Sequence, residues 1–156
     1  MKTKIQSAAH TIDTLYRKID VLAPLGNLVL RLWVANVFFR SGMLKLGNWD
    51  STMYLFENEY QVPLLPPNIA AVMGTGVELA FPVLLALGLG GRFAAFVLFV
   101  FNIMAVISYP DLEAAGIRDH QIWGLMLFVL LLQGPGKLSV DFFIGRKLLV
   151  KSSATI

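Results

Sequence analysis

The chain has 156 residues, 56% hydrophobic and only 15% charged, with a mean hydropathy of +0.67; this excludes an ordinary soluble domain and reads as one integral membrane domain over residues 1–156. A formal charge of +3 and a pI near 9.3 do not argue for nucleic acid, because the basic residues cluster at the ends of apolar runs, which is a topology signal. With no cysteine the chain cannot form a disulfide, run thiol exchange or hold an iron–sulfur cluster, so any thiol chemistry belongs to a partner and no intrinsic cofactor is expected.

Residues 1–21 carry Lys2, Lys4, Arg17 and Lys18 between apolar residues at helical spacing, which predicts an amphipathic helix on the cytoplasmic surface. His10 reads as a solvated residue of that helix. The first span, Leu25–Leu46, follows the helix-starting Pro24 and is unusually polar, with Arg31, Asn36, Arg40 and Lys45 within it. On a helical wheel Arg31 shares a face with Gly42 and Lys45, while Arg40 and Asn36 lie on the other side. Both sides cannot face one core, so one must snorkel, border a cavity or meet another subunit.

Trp49 to Asn68 is acidic, with Asp50 as the expected N-cap of a short interfacial helix, and Val62-Pro63-Leu64-Leu65-Pro66-Pro67 ends it as a stiff connection. The second span, Ile69–Leu89, has one ionisable residue, Glu78, near its middle. A charge at that depth costs roughly 2.5–3.5 kcal/mol, so it should face protein and have a partner. Ala71, Gly74 and Thr75 on the same side let a neighbouring helix approach. Pro82, four residues on, has no N–H to bond the carbonyl of Glu78. The third span is Phe93–Tyr109 with Asn102 as its strong hydrogen-bonding side chain, and the fourth runs from His120 to Gln133 before Gly134-Pro135-Gly136. Residues 138–151 read as a second cytoplasmic surface helix with Ser139 as N-cap.

The fold class expected is therefore all-α integral membrane, a four-transmembrane-helix bundle with flanking amphipathic interfacial helices. Nine Lys and Arg on the proposed inner side against two outside place both termini in the cytoplasm. Counted from the inner ends, Asn36, Glu78 and Asn102 share one layer about 15–17 Å deep, with Arg40 one turn further. Arg40 is the expected partner of Glu78 and Arg31 the alternative. That layer is either a buried ion pair completed by asparagines, or the wall of a cavity for a polar headgroup such as a quinone carbonyl or a small anion, or a proton relay through Glu78. His120, at the outer edge of the fourth span, is a further candidate ligand or proton relay. No metal site is expected from the spacing of His, Asp and Glu.

Arg31, Ser41-Gly42 and Lys45 in the first span, Glu78-Leu79 with Gly88-Leu89 and Arg92 around the second, and Gly134-Pro135-Gly136-Lys137-Leu138-Ser139-Val140-Asp141 after the fourth resemble the DoxX family. The resemblance extends from about Leu28 to Asp141. It implies a four-helix protein of the bacterial inner membrane. Relatives have been associated with a membrane thiosulfate:quinone oxidoreductase and with a complex linking thiol balance to superoxide defence. The function expected is an accessory or anchoring subunit for a redox or stress-related partner, or a homo-oligomer, in the lipid bilayer, with a quinone or lipid at the polar layer. The alternatives are a small transporter or channel gated by Glu78 and a membrane enzyme acting on a quinone or lipid.

Overall fold

A computed structural model of the chain describes residue 13 and residues 19–153, with side chains as far as residue 147. The surface helix expected at residues 1–21, with His10, lies almost wholly outside the described residues. Among the described residues every regular element is helical: α1 (Ala23–Gly47), α2 (Trp49–Asn58), α3 (Pro67–Leu87), α4 (Gly91–Ser108), α5 (Ala114–Gln133) and α6 (Val140–Ser153). Three of them, α3, α4 and α5, are long and apolar enough to cross a membrane. At 25 residues, α1 is long enough too, about 37 Å at ~1.5 Å per residue. Its three basic residues, Arg31, Arg40 and Lys45, keep its hydropathy lower.

Prolines and glycines set the helix boundaries. Pro24 sits in the first turn of α1, and Pro67 opens α3 behind the extended Pro66. Gly88 (φ 66°) ends α3 and Gly90 (φ 57°) precedes α4, both left-handed, so two membrane-length helices reverse direction within three residues. The cap of α2 is Asn48 rather than Asp50: Asn48 Oδ1 accepts the N–H of Ser51 at 3.0 Å. Asp50 stands in the first turn, where it favours the positive helix end without capping it. Thr52 Oγ1 donates to the carbonyls of Lys45 (2.9 Å) and Asn48 (3.1 Å), tying α2 to the end of α1. Helix α5 starts at Ala114, six residues before the expected His120. Hydropathy rises only at His120, but Ala114 to Asp119 has no helix breaker other than Gly116, and the helix extends through that polar turn.

The long helices pack α1 on α3, α3 on α4, α4 on α5 and, more loosely, α5 on α1. Val34, Ala35 and Phe38 of α1, Leu85 of α3, Ala94, Ala95 and Leu98 of α4 and Leu127 and Leu130 of α5 form the shared core. Phe56 of α2 packs with Ala70 and Ala71 of α3, which lays α2 and the following connection over one end of the helices. The outer faces are apolar as well: Val72, Phe93 and Leu125 are each 60% or more exposed. A protein apolar inside and out suits lipid around it and not water.

Candidate functional site

Glu78 is held by α1. Lys45 Nζ lies 2.6 Å from Glu78 Oε2 and 2.8 Å from Oε1, and also donates to Ser41 Oγ at 2.9 Å. The Ser41 hydroxyl in turn donates to Glu78 Oε1 at 3.1 Å, closing a three-residue network. Glu78 is buried, and so are Ala71, Gly74 and Thr75 on its side of α3. The close approach comes from Gly42: a Cβ there would lie 2.9 Å from the Leu79 side chain and 3.0 Å from Glu78 Cβ. Bare backbone at that point brings α1 onto α3, and the residues on that face reach the carboxylate.

The expected pairing of Glu78 with Arg40 is therefore corrected to Lys45. Arg40 lies about 140° around α1 from Lys45 at ~100° per residue, on the side with Asn36. Both Arg40 and Asn36 are exposed. Arg31 is not Glu78's partner either, and it does not snorkel. It is 1% exposed and donates to the carbonyls of Leu85 (3.3 Å), Ala86 (3.2 Å) and Leu138. Two of those carbonyls belong to the last turn of α3, where helix carbonyls lack helical partners. The two polar sides of α1 thus separate: Arg31 and Lys45 face α3, and Arg40 and Asn36 face away.

Asn102 belongs to a different node, so the expected single layer is two. Its Nδ2 donates to the carbonyl of His120 at 2.9 Å, and its Oδ1 lies 2.8 Å from His120 Nδ1. The first bond fixes which end of the amide is oxygen, and the second then requires a proton on Nδ1. The His120 ring also stands edge-on to Trp123 at 4.9 Å. Gly124 makes room, since a Cβ there would meet Asn102 Nδ2 at 3.1 Å.

Between these nodes lies a cavity of about 640 Å³ at the α2 end of the helices. Its walls are mostly apolar and aromatic, from Phe38, Phe56, Tyr60, Phe101 and Trp123. Its polar lining includes Asn36, Arg40, Ser41, Lys45, Glu78 and His120. Burial pushes the Tyr60 phenol up from its ordinary value, with Tyr109, Glu59 and Glu78 adding to the shift, so it stays a protonated donor. A second, more open hollow of about 580 Å³ lies against Asn102, His120 and Gly124 between α4 and α5. Ser41 stood in the sequence only as part of the family pattern, and its bond to Glu78 was not foreseen, nor were Phe38, Phe101 and Trp123 as cavity walls; the signal for Ser41 was its place one turn before Lys45.

At the opposite end the segment after α5 clasps the α3–α4 turn. Asp141 accepts the N–H groups of Gly90 and Gly91, each at 2.9 Å. Its own N–H donates to the Gly88 carbonyl at 3.1 Å. Ser139 Oγ accepts from the Phe142 N–H at 3.3 Å, as expected of the N-cap of α6. Asn27 Nδ2 donates to the Gly134 carbonyl at 3.0 Å, which brings α1 into the same clasp. Arg31 belongs here and takes no part in the cavity. Among the described residues no group of three or more His, Asp and Glu is placed to hold a metal.

Comparison with known proteins gives two matches. The family model described as DoxX matches residues 26–110. The chain is 32% identical over 134 residues to a Haemophilus influenzae protein described as uncharacterized, covering 80% of this chain and 87% of that one. No solved structure matches.

Proposed function

The chain belongs to the DoxX family, and from that premise we propose that it is an accessory or anchoring subunit of the bacterial cytoplasmic membrane, serving a redox or stress-related partner and holding a lipophilic ligand, a quinone or a lipid, in the cavity of α1, α3, α4 and α5. In this reading α1 joins α3, α4 and α5 as a span of a four-helix bundle, and α6 lies on the cytoplasmic surface. Supporting the orientation, Arg92, Lys137, Arg146 and Lys147 follow the clasp end, while Asp50, Glu57, Glu59, Asp111, Glu113 and Asp119 lie in or next to the connections at the other.

The observation that carries the ligand reading is the cavity's composition: about 640 Å³, inside the ~300–1,000 Å³ typical of small-molecule sites, with apolar walls and a few convergent polar groups. A flat quinone ring suits aromatic walls, and its carbonyls accept from the guanidinium of Arg40 or the amide of Asn36, both on the cavity lining. Without cysteine, thiol chemistry would fall to the partner.

The test is extraction of organic-soluble molecules from the protein purified in mild detergent, with mass spectrometry of what co-purifies. The expected result is one quinone or lipid near stoichiometric with the parent and depleted in Ala105→Phe, which fills a half-buried position of the cavity wall. Equal and substoichiometric lipid in both would overturn the reading.

A further inference from the structure

The cavity wall is not electrically neutral. Among its lining residues stand two cations, Arg40 and Lys45, against one carboxylate, Glu78. Lys45 and Glu78 neutralise one another at 2.6 Å. Arg40, on the side of α1 turned away from Glu78, has no hydrogen bond or ion pair among the described residues, and the cavity's one carboxylate is paired with Lys45. It stands with Asn36 and Leu44, one turn to either side on the same stripe of α1, and the three border the cavity. Opposite them are His120 and Trp123 of α5, across the loosest seam between neighbouring long helices. The cavity thus combines apolar depth with an unpaired guanidinium on its exposed margin.

Resting on the ligand-binding reading above, we infer that the occupant is an anionic amphiphile whose phosphate or carboxylate head pairs with Arg40 and whose single apolar chain enters between α1 and α5. Guanidinium and an oxyanion make charge-assisted, often bidentate bonds, which a neutral carbonyl does not match. Size sets the chain count. A methylene is close to the ~30 Å³ of a liquid water, so the cavity holds on the order of twenty heavy atoms. That suits a head and one chain, and it is too small for a two-chain lipid.

The test uses the full chain in nanodiscs of a zwitterionic phospholipid, with Trp33→Phe and Trp49→Phe so that Trp123 alone reports. The probes are a brominated alkyl phosphate, a brominated alkanol of the same chain, a neutral short-chain quinone and inorganic phosphate. The alkyl phosphate should quench Trp123 at roughly tenfold lower concentration than the alkanol, the scale of one hydrogen bond to a charged group. Arg40→Gln should abolish that preference by bringing alkyl phosphate quenching to the level of the alkanol. Inorganic phosphate should not compete, which separates a headgroup on a chain from the free ion. Equal quenching by phosphate and alkanol, a preference that survives Arg40→Gln, or displacement by the quinone at lower concentration than the alkyl phosphate would overturn the anionic assignment while leaving an amphiphile site. Absence of quenching by every probe would overturn both.

Discussion

At Glu78 a carboxylate, an ammonium and a hydroxyl satisfy one another between two helices, with side-chain exposures of only 17% for Lys45 and 7% for Glu78. Removing one charge from such a pair strands the other in a poorly solvated place, at a cost of about 3–5 kcal/mol, whereas removing both is often close to neutral. Lys45→Met and Glu78→Gln should therefore each lower the unfolding midpoint in detergent, and the double change should recover most of the loss. Arg40→Gln, an exposed side chain outside the network, should leave the midpoint unchanged. A Glu78→Gln midpoint equal to the parent's would show that the carboxylate depends on neither lysine nor serine.

For the helices as elements, stability turns on how their ends are closed. The N-terminus of α4 is capped from 50 residues away by Asp141, whose two oxygens each take one N–H. The C-terminus of α3 is capped by Arg31 of α1. Losing a capping side chain costs about 0.5–2 kcal/mol, so Asp141→Ala should destabilise by about that much and loosen α6. Faster amide hydrogen exchange at Gly90 and Gly91 would register it. Gly88→Ala should be worse. It places a Cβ at φ 66°, against a left-handed penalty of ~1–2 kcal/mol, and 2.5 Å from Ser139 Cβ. Normal expression of Gly88→Ala with a parental midpoint would argue against the clasp.

Across the whole molecule, charge is arranged by end. The clasp end adjoins Arg92, Lys137, Arg146 and Lys147, and the α2 end adjoins the acidic connections and the cavity. If the positive-inside rule governs, the cavity opens toward the outer half of the membrane. Single cysteines at Asn58, Ala114 and Ser152 test this in a chain that has none of its own. An impermeant thiol reagent applied to intact cells should label Asn58→Cys and Ala114→Cys and spare Ser152→Cys. The reverse pattern would invert the topology and place the cavity mouth on the cytoplasmic side.

The sequence alone determined what depends on local pattern. Apolar runs bounded by Pro and Gly marked four spans, three of which are helices long and apolar enough to cross a membrane, small residues beside Glu78 marked its buried face, and Ser139 marked the start of α6. It also singled out Glu78, Lys45, Arg40, Asn36 and His120, all of which line one cavity. Partnership was not local. A helical wheel shows that Arg40 and Lys45 face different ways, but which side meets α3 depends on where two backbones can approach. Gly42 decides that by letting α1 close onto Leu79 and Glu78. Asn102 finds His120 because Gly124 leaves room on α5, and Arg31 reaches Leu138 only because α5 and its glycine turn bring residues 107 positions later back to α1. Periodicity states which residues share a face; only packing, through the space each side chain leaves or fills, decides what that face meets.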